Sequence, residues 1–459
     1  MPPPSPAPPE PRLVLPPPPP LLSPGARESE YQDTQLLLGR TPEGIAPPPV
    51  WYAIRAIVGF VALLTLAYLG GHGRVQALER RLNITHLMTT GIPFAVLGFV
   101  ASLPQVGILT PGVLAGVSPL LPLGLGWIGF VIGSRFDARV LDRLPEGTGK
   151  AVFGTTAITV AIVMAGVACA IASMQPWAPN IIRDSLLLAI AGAMTGRTAP
   201  EILQALLPGQ VMPERLSRIV ELEPLLGIFG ILMISAFYRP QGLAVAWQLP
   251  GTAWLFITLG IGTAMGVMLY AAFARMNKGP QFAAVLLGSA AFTSGMASYL
   301  RISPLSVCFI TGAITFNLGG KWKEEVTEVF THLERPVYFL FMIIAGAMWH
   351  PWEWQGWVLM VLFVATRLLA KSVSSEILGK WAVRDLKPGE RHALAAVPMG
   401  ALSVAIVISA QDLYSGPTVP WIVTAVIMGS LVTEVGLQIA IRRFSRAASF
   451  LANPGYGAD

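Results

Sequence analysis

Charge is what this sequence has least of. Asp, Glu, Lys and Arg make up 12% of its 459 residues, while 53% are hydrophobic. That balance excludes a soluble globular protein and leaves a multi-pass membrane protein with no large soluble domain. Cysteine is almost missing. Cys169 and Cys308 both lie inside apolar runs, where they read as small core fillers and not as a disulfide or metal pair. No nucleotide loop, metal-ligand cluster or nucleophile–base arrangement is present, which argues against an enzyme and implies no cofactor. The net charge of +6 does not mark a nucleic-acid partner. A polytopic protein keeps its Lys and Arg in cytoplasmic loops.

Proline, by contrast, is plentiful, and it crowds the beginning of the chain. Residues 1–49, with the run Pro16 to Pro20, favour extended polyproline structure and bury too little apolar surface to fold. This segment reads as a disordered tail, or as a docking sequence for a proline-recognising partner. The first apolar run begins only after it, so no cleavable signal peptide is expected.

Apolar spans then follow at roughly 52–70, 87–104, 118–134, 151–174, 182–207, 219–238, 251–275, 281–299, 302–318, 335–349, 356–379, 391–413 and 419–441. That is about thirteen transmembrane helices in an all-α chain, ahead of a short tail at 444–459. Alternate connections are basic, from Arg74, Arg80 and Arg81 through to Arg442, Arg443 and Arg446. The intervening ones hold only Arg239 and Arg301, with Arg55 and Arg183 near the ends of their spans. This alternation supports the odd span count. It predicts a cell-membrane protein with its C-terminus in the cytoplasm and its N-terminus outside.

A faint repeat runs through the spans. The stretches Pro93–Phe99 and Gly126–Gly133 are echoed by Pro304–Phe309 and Phe339–Gly346, in opposite membrane orientations. Inverted repeats of this kind build secondary transporters. Two spans also carry helix breakers at membrane depth. One break holds Thr195, Gly196, Arg197, Thr198, Ala199 and Pro200; the other holds Pro398 and Gly400. Irregular backbone survives at this depth only where protein or a watery cavity satisfies it, and matched breaks in two halves point to a transport site.

Three ionisable residues complete the pattern. Glu223 opens the long apolar run after Pro224, and a carboxylate in a span needs a partner or a task. Arg367 and Lys371 stand four residues apart, hence on one face of a helix. Burial of a lysine without an anion disfavours its charged form, which suits a proton carrier. The alternative is that Arg367 or Lys371 simply pairs with Glu223. Glu376 and Glu434 read as partners for Lys or Arg. His86, His332 and His392 fall in or beside loops expected to be cytoplasmic.

Together these residues resemble the monovalent cation:proton antiporter superfamily, over about residues 52–441. The anchors are Gly126–Gly133 followed by Phe136 and Asp137, the Thr198–Pro200 break, the sixth span, the Arg367 and Lys371 face, and the break at Pro398 to Gly400. The resemblance implies two crossed broken helices and an elevator-type exchange of a monovalent cation, Na+ or K+, for protons. It also implies a homodimer, with core helices at about 151–238 and 356–441 and scaffold helices at about 52–134 and 281–349. The chain departs from the family in its sixth span. Aligned one way, Glu223 and Pro224 replace the aspartate pair. Aligned the other way, Gly227 and Ile228 replace the Asn-Asp variant of that pair, and Glu223 becomes a structural partner of Arg367. Arg197 sits inside the first break, where its guanidinium would occupy the cation position and pair with Glu223. Two further readings stay open: a transport-inactive sensor or scaffold locked by internal salt bridges, and an organic-anion transporter favoured by the basic site.

Overall fold

The computed structural model describes residues 50–70, 91–136, 138, 147–175, 180–196, 214–239, 249–276, 281–320, 322–381 and 397–452, and these form helices without a strand. In chain order the helices are α1 (Val50–Gly70), α2 (Ile92–Ser102), α3 (Pro111–Val117), α4 (Leu120–Arg135), α5 (Thr148–Met174), α6 (Ile181–Ala193) and α7 (Glu214–Phe237). Then come α8 (Gly251–Arg275), α9 (Gln281–Tyr299), α10 (Pro304–Asn317), α11 (Lys323–Ala347), α12 (Trp354–Trp381), α13 (Ala401–Leu413) and α14 (Val419–Ala452). Seven of the described helices are long and apolar enough to cross a membrane alone, and the α3–α4 pair, bent by 43°, makes an eighth. The shorter apolar helices α2, α10 and α13 fall within further expected spans. The chain is a polytopic membrane protein. The proline-rich tail at 1–49 lies outside the described residues.

Packing divides most of these helices into two groups. In one, α5, α6, α7, α12, α13 and α14 pack mainly on one another, with α5 central between α6 and α12. In the other, α4 lies along α10, α2 along α11, and α8 and α9 close the set. The four echoed segments therefore pair crosswise: the Gly126–Gly133 helix on the Pro304–Phe309 helix, and the Pro93–Phe99 helix on the Phe339–Gly346 helix. A two-fold relation between halves gives this pairing.

Small residues make the second group's contacts possible. A Cβ on Gly129 would collide with the carbonyl of Leu305, and one on Gly98 with that of Ile343. In hydrocarbon, where helices gain nothing from leaving lipid, such close backbone approach supplies the association through dispersion and weak polar contact. Hydroxyls add to it: Thr311 and Thr315 of α10 donate to the carbonyls of Gly262 and Gly266 on α8, at 3.2 and 3.1 Å.

Candidate functional site

The two interrupted spans meet at their breaks. α6 stops at Ala193, and Met194 is already extended (φ −71°, ψ 144°). In the second span 397–400 is non-helical, and α13 begins only after an extended Gly400 (φ −109°, ψ 178°). The Gly196 N–H donates to the Pro398 carbonyl at 3.0 Å, tying one break to the other. A Cβ on Gly400 would stand 2.6 Å from the Gly196 Cα, so the crossing requires a residue without one. Thr195, Pro398 and Gly400 are thus at the crossing. Arg197, Thr198, Ala199 and Pro200 lie outside the described residues, and so does the expected pairing of Arg197 with Glu223.

A break exposes carbonyls that a continuous helix would have satisfied. Arg367 answers two of them. It is fully buried, its Nε donates to the Gly192 carbonyl at the end of α6 (2.8 Å), and its Nη2 donates to Val397 in the second break (3.0 Å). A cation suits the C-terminal end of a helix, where the carbonyl dipoles converge. Arg367 therefore binds both breaks and does not hydrogen-bond Glu223. The expectation of a Glu223–Arg367 partnership gives way to a different one.

That partner is Lys371, one helical turn further along α12. Its Nζ donates to Glu223 Oε1 at 2.9 Å and to the Thr195 hydroxyl at 3.3 Å, while the Thr195 hydroxyl donates to Glu223 Oε2. Three elements close this ring: α7 brings the carboxylate, α12 the ammonium, and the start of the first break the hydroxyl. All three residues are buried, with Glu223 only 3% and Lys371 only 5% exposed. Breaking such a pair from one side costs about 3–5 kcal/mol, because the other charge is left in low dielectric. Glu221, two residues away, points elsewhere and pairs with Arg218 at 3.2 Å on the surface of α7. Glu434 is buried on α14, and His332 is exposed on α11. His86 and His392 lie outside the described residues.

One turn beyond Glu223 stands Gly227, where one alignment with the antiporter pattern would put a polar pair. A Cβ there would collide with the sulfur of Met194. The thioether of the first break thus fills the space that a side chain at this position would need.

Comparison of the whole chain bears on what this arrangement is. No protein-family model and no curated protein matches the sequence. Solved structures do match. One is the sodium proton antiporter MjNhaP1 from Methanocaldococcus jannaschii at pH 8, with a TM-score of 0.59 at 16% identity over 83% of this chain and 98% of the other. The electron-microscopy structure of the same antiporter gives 0.55 at 15% identity, over 87% and 99%. This chain has the sodium proton antiporter fold.

Within that antiporter fold lies a second buried charge cluster that the sequence did not disclose. At the start of α6, Arg183 Nε donates to Asp184 Oδ1 at 2.7 Å, and the Thr418 hydroxyl donates to Asp184 Oδ2. The Arg183 guanidinium lies over the Tyr414 ring, 4.4 Å from its centroid. Neighbouring opposite charges at the edge of an apolar span were the only available signal. Their partners are more than two hundred residues away in the chain.

Proposed function

We propose that this protein is a secondary transporter that exchanges protons for a monovalent cation, Na+ or K+, across the cell membrane. The observation that carries the reading is the buried Lys371–Glu223–Thr195 ring at the crossing of the two breaks. While Lys371 is charged it occupies the carboxylate. When it gives up its proton, the Glu223 carboxylate loses its ammonium partner, and with the Thr195 hydroxyl it presents the oxygen ligands that a small monovalent cation needs. Proton and cation then compete for one site, and competition couples their fluxes without ATP. Arg367 serves this site from behind by holding both breaks in place. The family's carboxylate chemistry would thus have moved one turn along α7 to Glu223.

The two helix groups suit an elevator mechanism. The group with the breaks (α5–α7 and α12–α14) is the moving core, and the glycine-packed group is the scaffold through which two copies form a homodimer in the bilayer. The alternation of basic connections supports a cytoplasmic C-terminus. Reconstituted protein with an internal pH dye, pulsed with sodium, potassium or lithium, tests this. Flux with one cation that vanishes in Glu223→Gln supports exchange through this carboxylate, and equal flux in the variant refutes it.

A second reading has its own observation. Among the described residues, Arg367 Nη1 is buried without a hydrogen-bond partner, and Arg367 and a charged Lys371 against Glu223 give the crossing a net positive charge. A protein silent to every cation but driven by an organic carboxylate would be an anion transporter on the same fold. A protein silent to both would be a locked sensor or scaffold.

A further inference from the structure

The end of the bundle away from the basic connections is the outer end in the proposed orientation, and there the two helix groups are bonded to each other. Ser303, the N-cap of α10, and Ser409 on α13 are both fully buried and share a hydrogen bond of 3.2 Å. Arg301, in the turn from α9 to α10, donates to the Asp412 carbonyl near the end of α13 at 3.2 Å. Arg301 is the non-glycine residue with positive φ (54°) among the described residues. A side chain is held in that conformation only where its surroundings fix it. Arg239, just past α7, lies 3.5 Å from the Trp254 ring centroid of α8 and donates to the Leu300 carbonyl at 3.1 Å. Arg239 and Arg301 are the arginines that the charge alternation leaves in this side's connections, and both bridge the groups.

On the core side these bridges attach to a rigid mount. The Tyr414 hydroxyl donates to the Ile234 carbonyl at 3.2 Å, joining the end of α13 to α7. The Arg183–Asp184–Thr418 cluster joins α6 to the start of α14. The outer ends of the core helices are therefore one piece, and a displacement of that piece must break the Ser303–Ser409 and Arg301–Asp412 contacts together.

We propose that these two contacts are the outer closure of the transport cycle, made while the site is shut from the outside and broken when it opens there. Each is a hydrogen bond of modest net strength, as a contact remade at every turnover must be. The purpose assigned to the closure rests on the transport reading; its test does not. Ser403, near the break on α13, becomes a reporter as Ser403→Cys in a Cys169→Ala background, probed from outside with a membrane-impermeant maleimide. Removing both contacts with Arg301→Ala and Ser409→Ala should speed labelling about tenfold. An unchanged or slower rate overturns the closure. In the same background, an oxidised Ser303→Cys/Ser409→Cys pair should stop labelling and cation-driven proton flux, and reduction should restore both. Labelling that persists in the cross-linked protein overturns the closure whatever the flux does. Wild-type protein without flux overturns only the transport reading, because labelling reports the opening by itself.

Discussion

The two helix groups solve the same problem, burial in hydrocarbon, by opposite means. Among the described residues, the buried charges Arg183, Asp184, Glu223, Arg367, Lys371 and Glu434 all belong to α6, α7, α12 and α14. The other group buries no charge. Its buried polar side chains are mostly Ser and Thr, of which Thr258, Ser294, Thr311 and Thr315 donate to backbone carbonyls, and its helices touch through glycine. A glycine seam costs nothing in desolvation and fixes the helices at one distance. Buried charges are expensive and gain little in stability over apolar packing, so their presence marks where a helix group does something besides hold together. The difference assigns rigidity to one group and chemistry to the other.

The comparison can be broken in order of expected effect. Lys371→Met strands a carboxylate in the core group and should cost about 3–5 kcal/mol, read as a lower Tm in detergent. Adding Glu223→Gln to it should recover most of that loss while leaving the protein without flux, which separates stability from function. In the glycine group, Gly129→Val forces α4 off α10 and should cost about 1–3 kcal/mol of overpacking. Whatever protein remains folded should keep the cation affinity of wild type. Thr195→Val removes a donor to the carboxylate and should cost about 1–2 kcal/mol. Its effect should be clearer in cation concentration dependence than in Tm. Glu221→Gln, which disrupts an exposed pair, should change stability by about 0.5 kcal/mol or less. An effect there as large as that of Lys371→Met would undo the distinction between buried and surface charge.

Much of this was legible in the sequence because lipid makes polar residues conspicuous. Glu223, Arg367 and Lys371 stand out in apolar spans, and the Gly and Pro of each break stand out in helices. Spacing put Arg367 and Lys371 on one face, and both are indeed buried. What spacing could not decide is which of them takes Glu223. One turn separates them, and the choice depends on Arg367 being drawn to the carbonyls of Gly192 and Val397, which exist as acceptors only once the two breaks cross. The Asp184 cluster was illegible for a similar reason, since Thr418 and Tyr414 are ordinary residues until the fold brings them to α6. The repeat picked out these four segments but not the crosswise pairing of α2 with α11 and α4 with α10, because glycine contacts carry no signature of their partner.

The central claim is that a proton and a cation compete for the Lys371–Glu223 pair. The most direct measurement adds sodium or potassium to purified protein in weakly buffered solution and counts the protons released. The account predicts release from wild type with at least one of the two cations, and none from Glu223→Gln or Lys371→Met. Undiminished release from both variants would contradict it.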